Sequence, residues 1–165
     1  MVIKMGQAEV CALLDEMGIP YELIRHQPVY TIDDMVQLAL PDLECVAKNL
    51  FLRNANGKQH FLVTMPHEKK VDLKELAQKI GSSKLSFASE ERLMTHLGLR
   101  RGAVTPFGVL NNGDHQVQVI LDEDLREQSR VAVHPNENTA TLYLAVDDLV
   151  KVLHRAGNPV DLIKL

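Results

Sequence analysis

The stretch VAKNLFLRNANGKQHFLVTM at residues 46–65 holds two apolar runs on either side of a short polar connection. Val46 to Arg53 and Phe61 to Met65 each have the length and composition of a strand. Between them, Asn54-Ala55-Asn56-Gly57-Lys58 contains the Asn-Gly pair that supplies positive φ angles to a tight hairpin. Two strands joined this way pair antiparallel, so residues 46–65 predict the nucleus of a sheet.

Reading outward, Val10, Leu13, Leu14 and Met17 recur at helical spacing before Gly18 and Pro20. Tyr21 to Arg25 reads as a short strand, and Thr31 with Asp34 begins a second short helix that Pro41 closes off. Downstream, Asp72 to Ile80 is a helix capped by Asp72 and ended by Gly81; Ser89 opens another that stops at Gly98. Val117 to Leu121, Arg130 to Val133 and Thr141 to Leu144 read as strands, and a last helix runs from about Val146 to Arg155. Helices and strands mix without regular βαβ alternation. The expected fold is therefore α/β in the α+β sense: one domain over residues 1–165, a mixed, mostly antiparallel sheet surrounded by helices.

Composition is that of a globular chain, 45% hydrophobic and 24% charged. No apolar run is long enough to cross a bilayer, and Met1 to Gly6 leads straight into a helical pattern, so neither a signal peptide nor a location outside the cytoplasm is expected. Cys11 and Cys45 lack metal-ligand spacing and read as buried free thiols. The net charge is -4, but residues 48–101 carry 11 basic and 5 acidic side chains. That middle third either forms a positive face for a nucleic-acid backbone or solvates amphipathic helices.

Three segments carry features that a core does not require. Lys48 lies inside an apolar strand, either turned to solvent at a sheet edge or held in a site. Alternation sets Lys48, Leu50 and Leu52 on one face and Ala47, Asn49 and Phe51 on the other, and a lysine in line with two leucines weighs toward a site. Gly102-Ala103-Val104-Thr105-Pro106-Phe107-Gly108 is either an ordinary turn or a loop presenting N–H groups to an oxyanion or phosphate. It lacks the Gly-Lys-Ser/Thr ending of a nucleotide-triphosphate loop. His134, before Pro135, ends a strand, in a segment whose Asn136, Asn138, Thr139 and Thr141 can equally hold a plain turn together. No histidine pair has zinc spacing, and the Gly-x-Ser-x-Gly elbow of serine hydrolases is absent.

Taken in order, RHQPVYTIDD (25–34), AKNLFLRN (47–54), LGLRRGAVTPFGVLN (97–111) and HPNENTATL (134–142) resemble the YbaK/aminoacyl-tRNA synthetase-associated domain family, in its free-standing prolyl-tRNA editing branch. The likeness covers nearly the whole chain. It implies a partly barrel-like α/β domain that hydrolyses the ester of a mischarged amino acid, most simply alanine, on tRNA for proline. Cysteine- or serine-specific deacylation and a non-catalytic tRNA- or synthetase-binding module are the alternatives. Lys48 matches the family's substrate-anchoring lysine, Gly102 to Pro106 its glycine loop, and His134 a histidine of this branch. Asn49, Phe51, Val29, Tyr30, Ala103, Val104, Thr105 and Pro106 are the implied substrate contacts. Lys69, Lys70, Lys74, Arg100 and Arg101 are candidate solvent-exposed contacts to tRNA. The implied partners are aminoacylated tRNA and, as a further candidate, prolyl-tRNA synthetase; no metal, cofactor, DNA or membrane is expected.

Overall fold

In the computed structural model, which describes residues 4–165, the hairpin forms as the sequence predicts, with Ala47 opposite Pro66 and Arg53 opposite His60. Its connection differs in detail. Gly57 takes a positive φ of 72° but Asn56 does not. The chain closes through Gly57 N–H to the Asn54 carbonyl and Asn54 N–H to the Gln59 carbonyl, a longer loop than a two-residue turn. The expectation about Met1 to Gly6 falls partly on residues 1–3, which lie outside the described residues.

In chain order the elements are helix α1 (Gln7–Glu16), strand β1 (Glu22–Arg25), helix α2 (Ile32–Gln37), strands β2 (Ala47–Arg53) and β3 (His60–Pro66), and helix α3 (Leu73–Ile80). Strand β4 (Ser86–Phe87), helix α4 (Glu90–Leu97), strands β5 (Gln118–Asp122), β6 (Val131–Val133) and β7 (Ala140–Leu144), helix α5 (Val146–Ala156) and strand β8 (Val160–Ile163) follow. The helix ends obey local chemistry. Thr31 Oγ1 accepts from Asp34 N–H while the Asp34 carboxylate accepts from Thr31 N–H, a reciprocal capping box. Asp72 and Ser89 cap α3 and α4, and Gly81 and Gly98 end them in the left-handed conformation.

Two sheets share the strands. The larger runs β4-β2-β3-β5-β8, the smaller β1-β7-β6. Pairings β1–β7, β2–β3, β2–β4 and β6–β7 are antiparallel; β3–β5 and β5–β8 are parallel. The mixed, mostly antiparallel character expected from sequence holds, divided over two sheets. Among the described residues a single parallel bridge, Val46 to Ala132, joins them, so the barrel stays open. Strands β4 and β8 are not legible in the sequence: β4 spans two exposed residues, and β8 is half-exposed with no clear alternation.

Both faces of the large sheet are covered. Phe51, Leu62 and Leu121 pack with Val10 and Leu14 of α1, Leu97 of α4 and Leu149 and Leu153 of α5. On the other face Leu52, Phe61, Val63 and Met65 meet Leu76 of α3. Coverage on two sides explains why β3 is buried from His60 through Met65 and reads as a continuous apolar run. A third cluster, Val29, Met35, Cys45, Val46, Ala132 and Tyr143, packs α2 against the small sheet where the two sheets meet. Of the two thiols only Cys45 is buried as expected, its pKa pushed up to about 11 by that burial; Cys11 is half-buried, and both are free.

Candidate active site

At the junction of the sheets lies a cleft of about 260 Å³. Its lining comes from four parts of the chain: Val29 to Ile32 with Met35, Val46 to Leu50, Gly102 with Val104, and Ala132 to His134. Among the described residues, the strand edge facing this space is paired at its ends, by the Val46–Ala132 bridge and by β4 at Leu52 and Arg53. Peptide groups alternate sides along a strand. The Val46 carbonyl accepts from His67 N–H on the β3 side, and the Phe51 carbonyl from Ala88 N–H on the opposite side. The peptide groups of Ala47 and Asn49 therefore point away from β3, toward an edge where β4 pairs only with Leu52 and Arg53.

Lys48 is half-buried at this edge and, among the described residues, has neither an ion pair nor a hydrogen-bond partner. Burial holds its pKa below the ordinary lysine value. An unmatched ammonium in such a place is costly unless a ligand supplies the anion. Beside it, Asn49 turns to the opposite face, where its Oδ1 accepts from the buried Thr64 hydroxyl at 2.7 Å.

The glycine loop approaches from the far side. Gly102 has a φ of 88°, and a Cβ there would lie 2.9 Å from Tyr30 Cδ1 and 3.0 Å from the Val29 carbonyl oxygen. Glycine is required at this position by both conformation and space. The loop is tied to the strand carrying His134: Thr105 Oγ1 donates to the His134 carbonyl at 2.6 Å. His134 itself is fixed in tautomer, since Nδ1 lies 2.7 Å from the Ala140 carbonyl and must donate to it. That leaves Nε2 as an acceptor. Burial, with His26 nearby, keeps the imidazole pKa below its ordinary value, so the ring is neutral near pH 7. His26, 6.1 Å away centroid to centroid, is held by Thr141 Oγ1 and the Gln27 carbonyl.

Not every residue singled out in the sequence reaches the cleft. Lys48, Asn49, Val29, Tyr30, Gly102, Val104 and His134 do. Ala103, Thr105 and Pro106 do not: all three are buried in the body of the loop, away from the cleft. Phe51 also faces inward, stacked on His60 at 5.4 Å. Among the basic residues, Lys70, Lys74, Arg100 and Arg101 are exposed. Lys69 is not available, because Asp122 and Asp124 each hold its ammonium at 2.6 Å. Sequence reasoning missed Met35, Val46, Ala132 and Val133 as cleft residues. They read as ordinary core positions, and only the meeting of two sheets turns them toward a cavity.

A half-buried lysine, a glycine loop and a neutral histidine converge on one cleft of an α+β domain, a site built to take a polar ligand, and comparison with known proteins makes the class specific. A family model described as the aminoacyl-tRNA editing domain matches residues 26–152. The chain belongs to this family and is an aminoacyl-tRNA editing enzyme. It is 51% identical over 156 residues to the prolyl-tRNA editing protein ProX of Acetoanaerobium sticklandii, covering 94% of this chain and 95% of that one. It is 33% identical over 155 residues, 91% of each chain, to prolyl-tRNA synthetase associated domain-containing protein 1 of Xenopus laevis. A crystal structure described provisionally as a trans-editing enzyme for prolyl tRNA synthetase superposes with a TM-score of 0.71 over 94% of both chains. At 20% identity that likeness speaks for the fold alone.

Proposed function

We propose that this protein deacylates mischarged tRNA for proline, with alanine as the amino acid removed. The observation that carries the reading is the convergence of Lys48, the Gly102 loop and His134 on one cleft in a member of an editing family. The Lys48 ammonium binds a phosphate or ribose oxygen near the tRNA 3′ end, which supplies its missing anionic or polar partner. The ester carbonyl lies against loop N–H groups at Gly102 and Val104, which stabilise negative charge as the tetrahedral intermediate forms. His134 Nε2, an acceptor in this tautomer, orients the ribose 2′-hydroxyl or the attacking water. Much of the acceleration then comes from positioning. Arg100 and Arg101, exposed beside the loop, meet the RNA backbone.

A cleft of this size, narrowed by Val29, Met35, Val46 and Ala132, favours a small side chain. Sterics exclude larger amino acids, whereas one methylene or hydroxyl supplies only about 1–3 kcal/mol of discrimination. The test is to incubate the purified protein with alanyl-, cysteinyl- and seryl-tRNA for proline and follow ester loss. Rapid loss of the alanyl ester is expected. Preference for the cysteinyl or seryl ester would reassign the amino acid, and stable binding without ester loss would make the protein a binding module.

A further inference from the structure

We infer that the groove opening beside the cleft binds the terminal adenine of the aminoacyl-tRNA by stacking it on Phe87. The inference rests on the deacylase reading of the cleft and adds to it the place of the base. The groove, about 460 Å³, shares Asn49, Leu50 and Val104 with the cleft, so the two spaces adjoin. The ester and the base hang from the same ribose. A carbonyl seated in the cleft therefore brings its adenine within one nucleoside of Lys48, into an adjoining space.

The cleft is bordered by one space past Tyr30 and by another past Leu50. The one past Tyr30 is lined by Lys4, Glu9, Arg100 and Glu137, a charged surface suited to backbone and water. The one past Leu50 presents Phe87, Ala88 and Leu93, an apolar surface suited to a base. Phe87 is 61% exposed and sits on the two-residue strand β4, pinned opposite Leu52. Single exposed apolar side chains are ordinary. An exposed ring held on a paired strand at the mouth of a nucleotide-binding cleft is a stacking platform of the kind single-stranded RNA uses. Arg101 lines the same groove with a side chain 81% exposed, and its contact to Glu90 is a loose 3.9 Å. Its guanidinium is free to meet the phosphate 5′ of the stacked nucleotide.

The experiment compares wild type with Phe87→Ala, Phe87→Leu and Phe87→Trp on alanyl-tRNA for proline and on 2′(3′)-O-alanyl-adenosine. Phe87→Ala and Phe87→Leu should raise KM for both substrates roughly 5- to 150-fold, the range of one base–aromatic stack, with kcat little changed. Phe87→Trp should match or better the wild type. Leucine keeps apolar area without a π-face, so an unaffected Phe87→Leu would overturn stacking. Unchanged KM in Phe87→Ala, or a Trp variant as impaired as the Ala variant, would overturn the placement. A wild type that leaves every aminoacyl ester intact would instead remove the deacylase reading, and the inference with it.

Discussion

Replacing Gly102 by alanine tests the close approach on which the cleft is built. The residue has a φ of 88°, a left-handed conformation that costs a non-glycine residue about 1–2 kcal/mol. The added Cβ would also meet Tyr30 Cδ1 at 2.9 Å, the Val29 carbonyl oxygen at 3.0 Å and Tyr30 Cα at 3.3 Å. Two of those three atoms are backbone, so the segment must move as a unit, and overpacking of this kind adds about 1–3 kcal/mol. The sum is roughly 2–5 kcal/mol. For a chain of this length each kcal/mol lowers Tm by about 2–4 °C, so a fall of roughly 4–20 °C is expected by calorimetry. Gly81→Ala is the matched control: its φ is 70°, and nothing lies within 4 Å of the added carbon. That variant should lose only the conformational part, about 1–2 kcal/mol, and keep full deacylase activity. Gly102→Ala should in addition lose about 10-fold or more in kcat/KM, because shifting Val29 and Tyr30 by a fraction of an ångström displaces the bound ester. Equal Tm values for the two variants, with Gly102→Ala fully active, would refute the argument.

Lys48→Ala should reduce deacylation by roughly 10- to 150-fold, the worth of a charge-assisted hydrogen bond, without lowering Tm, since it removes an unmatched half-buried ammonium; near-normal activity in a folded variant would take the lysine out of the mechanism. Thr105→Val should weaken the tie between the loop and the His134 strand, destabilising by about 1–3 kcal/mol in urea titration and lowering kcat more than it raises KM. Neutralising Arg100 and Arg101 together should weaken tRNA binding and flatten its dependence on salt concentration; an unchanged slope would put the RNA elsewhere on the surface. His60, buried, stacked on Phe51 and tilted against His96, has its pKa pushed down to about 4, mainly by burial. Below the ordinary histidine value near 6.5 the unfolded chain binds a proton that the folded chain refuses, so stability falls as pH drops from about 6.5 to about 4. Urea midpoints measured at pH 7 and pH 5 should differ more in wild type than in His60→Gln.

Much was legible in the sequence because it is local. The hairpin at 46–65, the capping box at Thr31 and Asp34, and the Asp72, Ser89, Gly81 and Gly98 helix ends depend on residues within a few positions of one another. Lys48 stood out because a charge inside an apolar run conflicts with burial whatever the fold. The words around Lys48, Gly102 and His134, with the fourth at residues 25–34, carried the family, and with it the expectation of a shared site.

What the tertiary structure alone decided is which of those residues meet, since contacts across the chain depend on how the strands stack and not on spacing within one strand. Joining of two sheets at Val46 and Ala132 opened the cleft and turned Met35 and Val133 from core positions into its lining. Burial within the loop withdrew Ala103, Thr105 and Pro106 from it, and the opposite face of β2 claimed Phe51. Lys69 looked like one more free lysine until the fold brought Asp122 and Asp124 to it, 53 and 55 residues away in the chain. A side chain's own character is written in the sequence, but its partner is set by packing, and at this site the partners determine the chemistry.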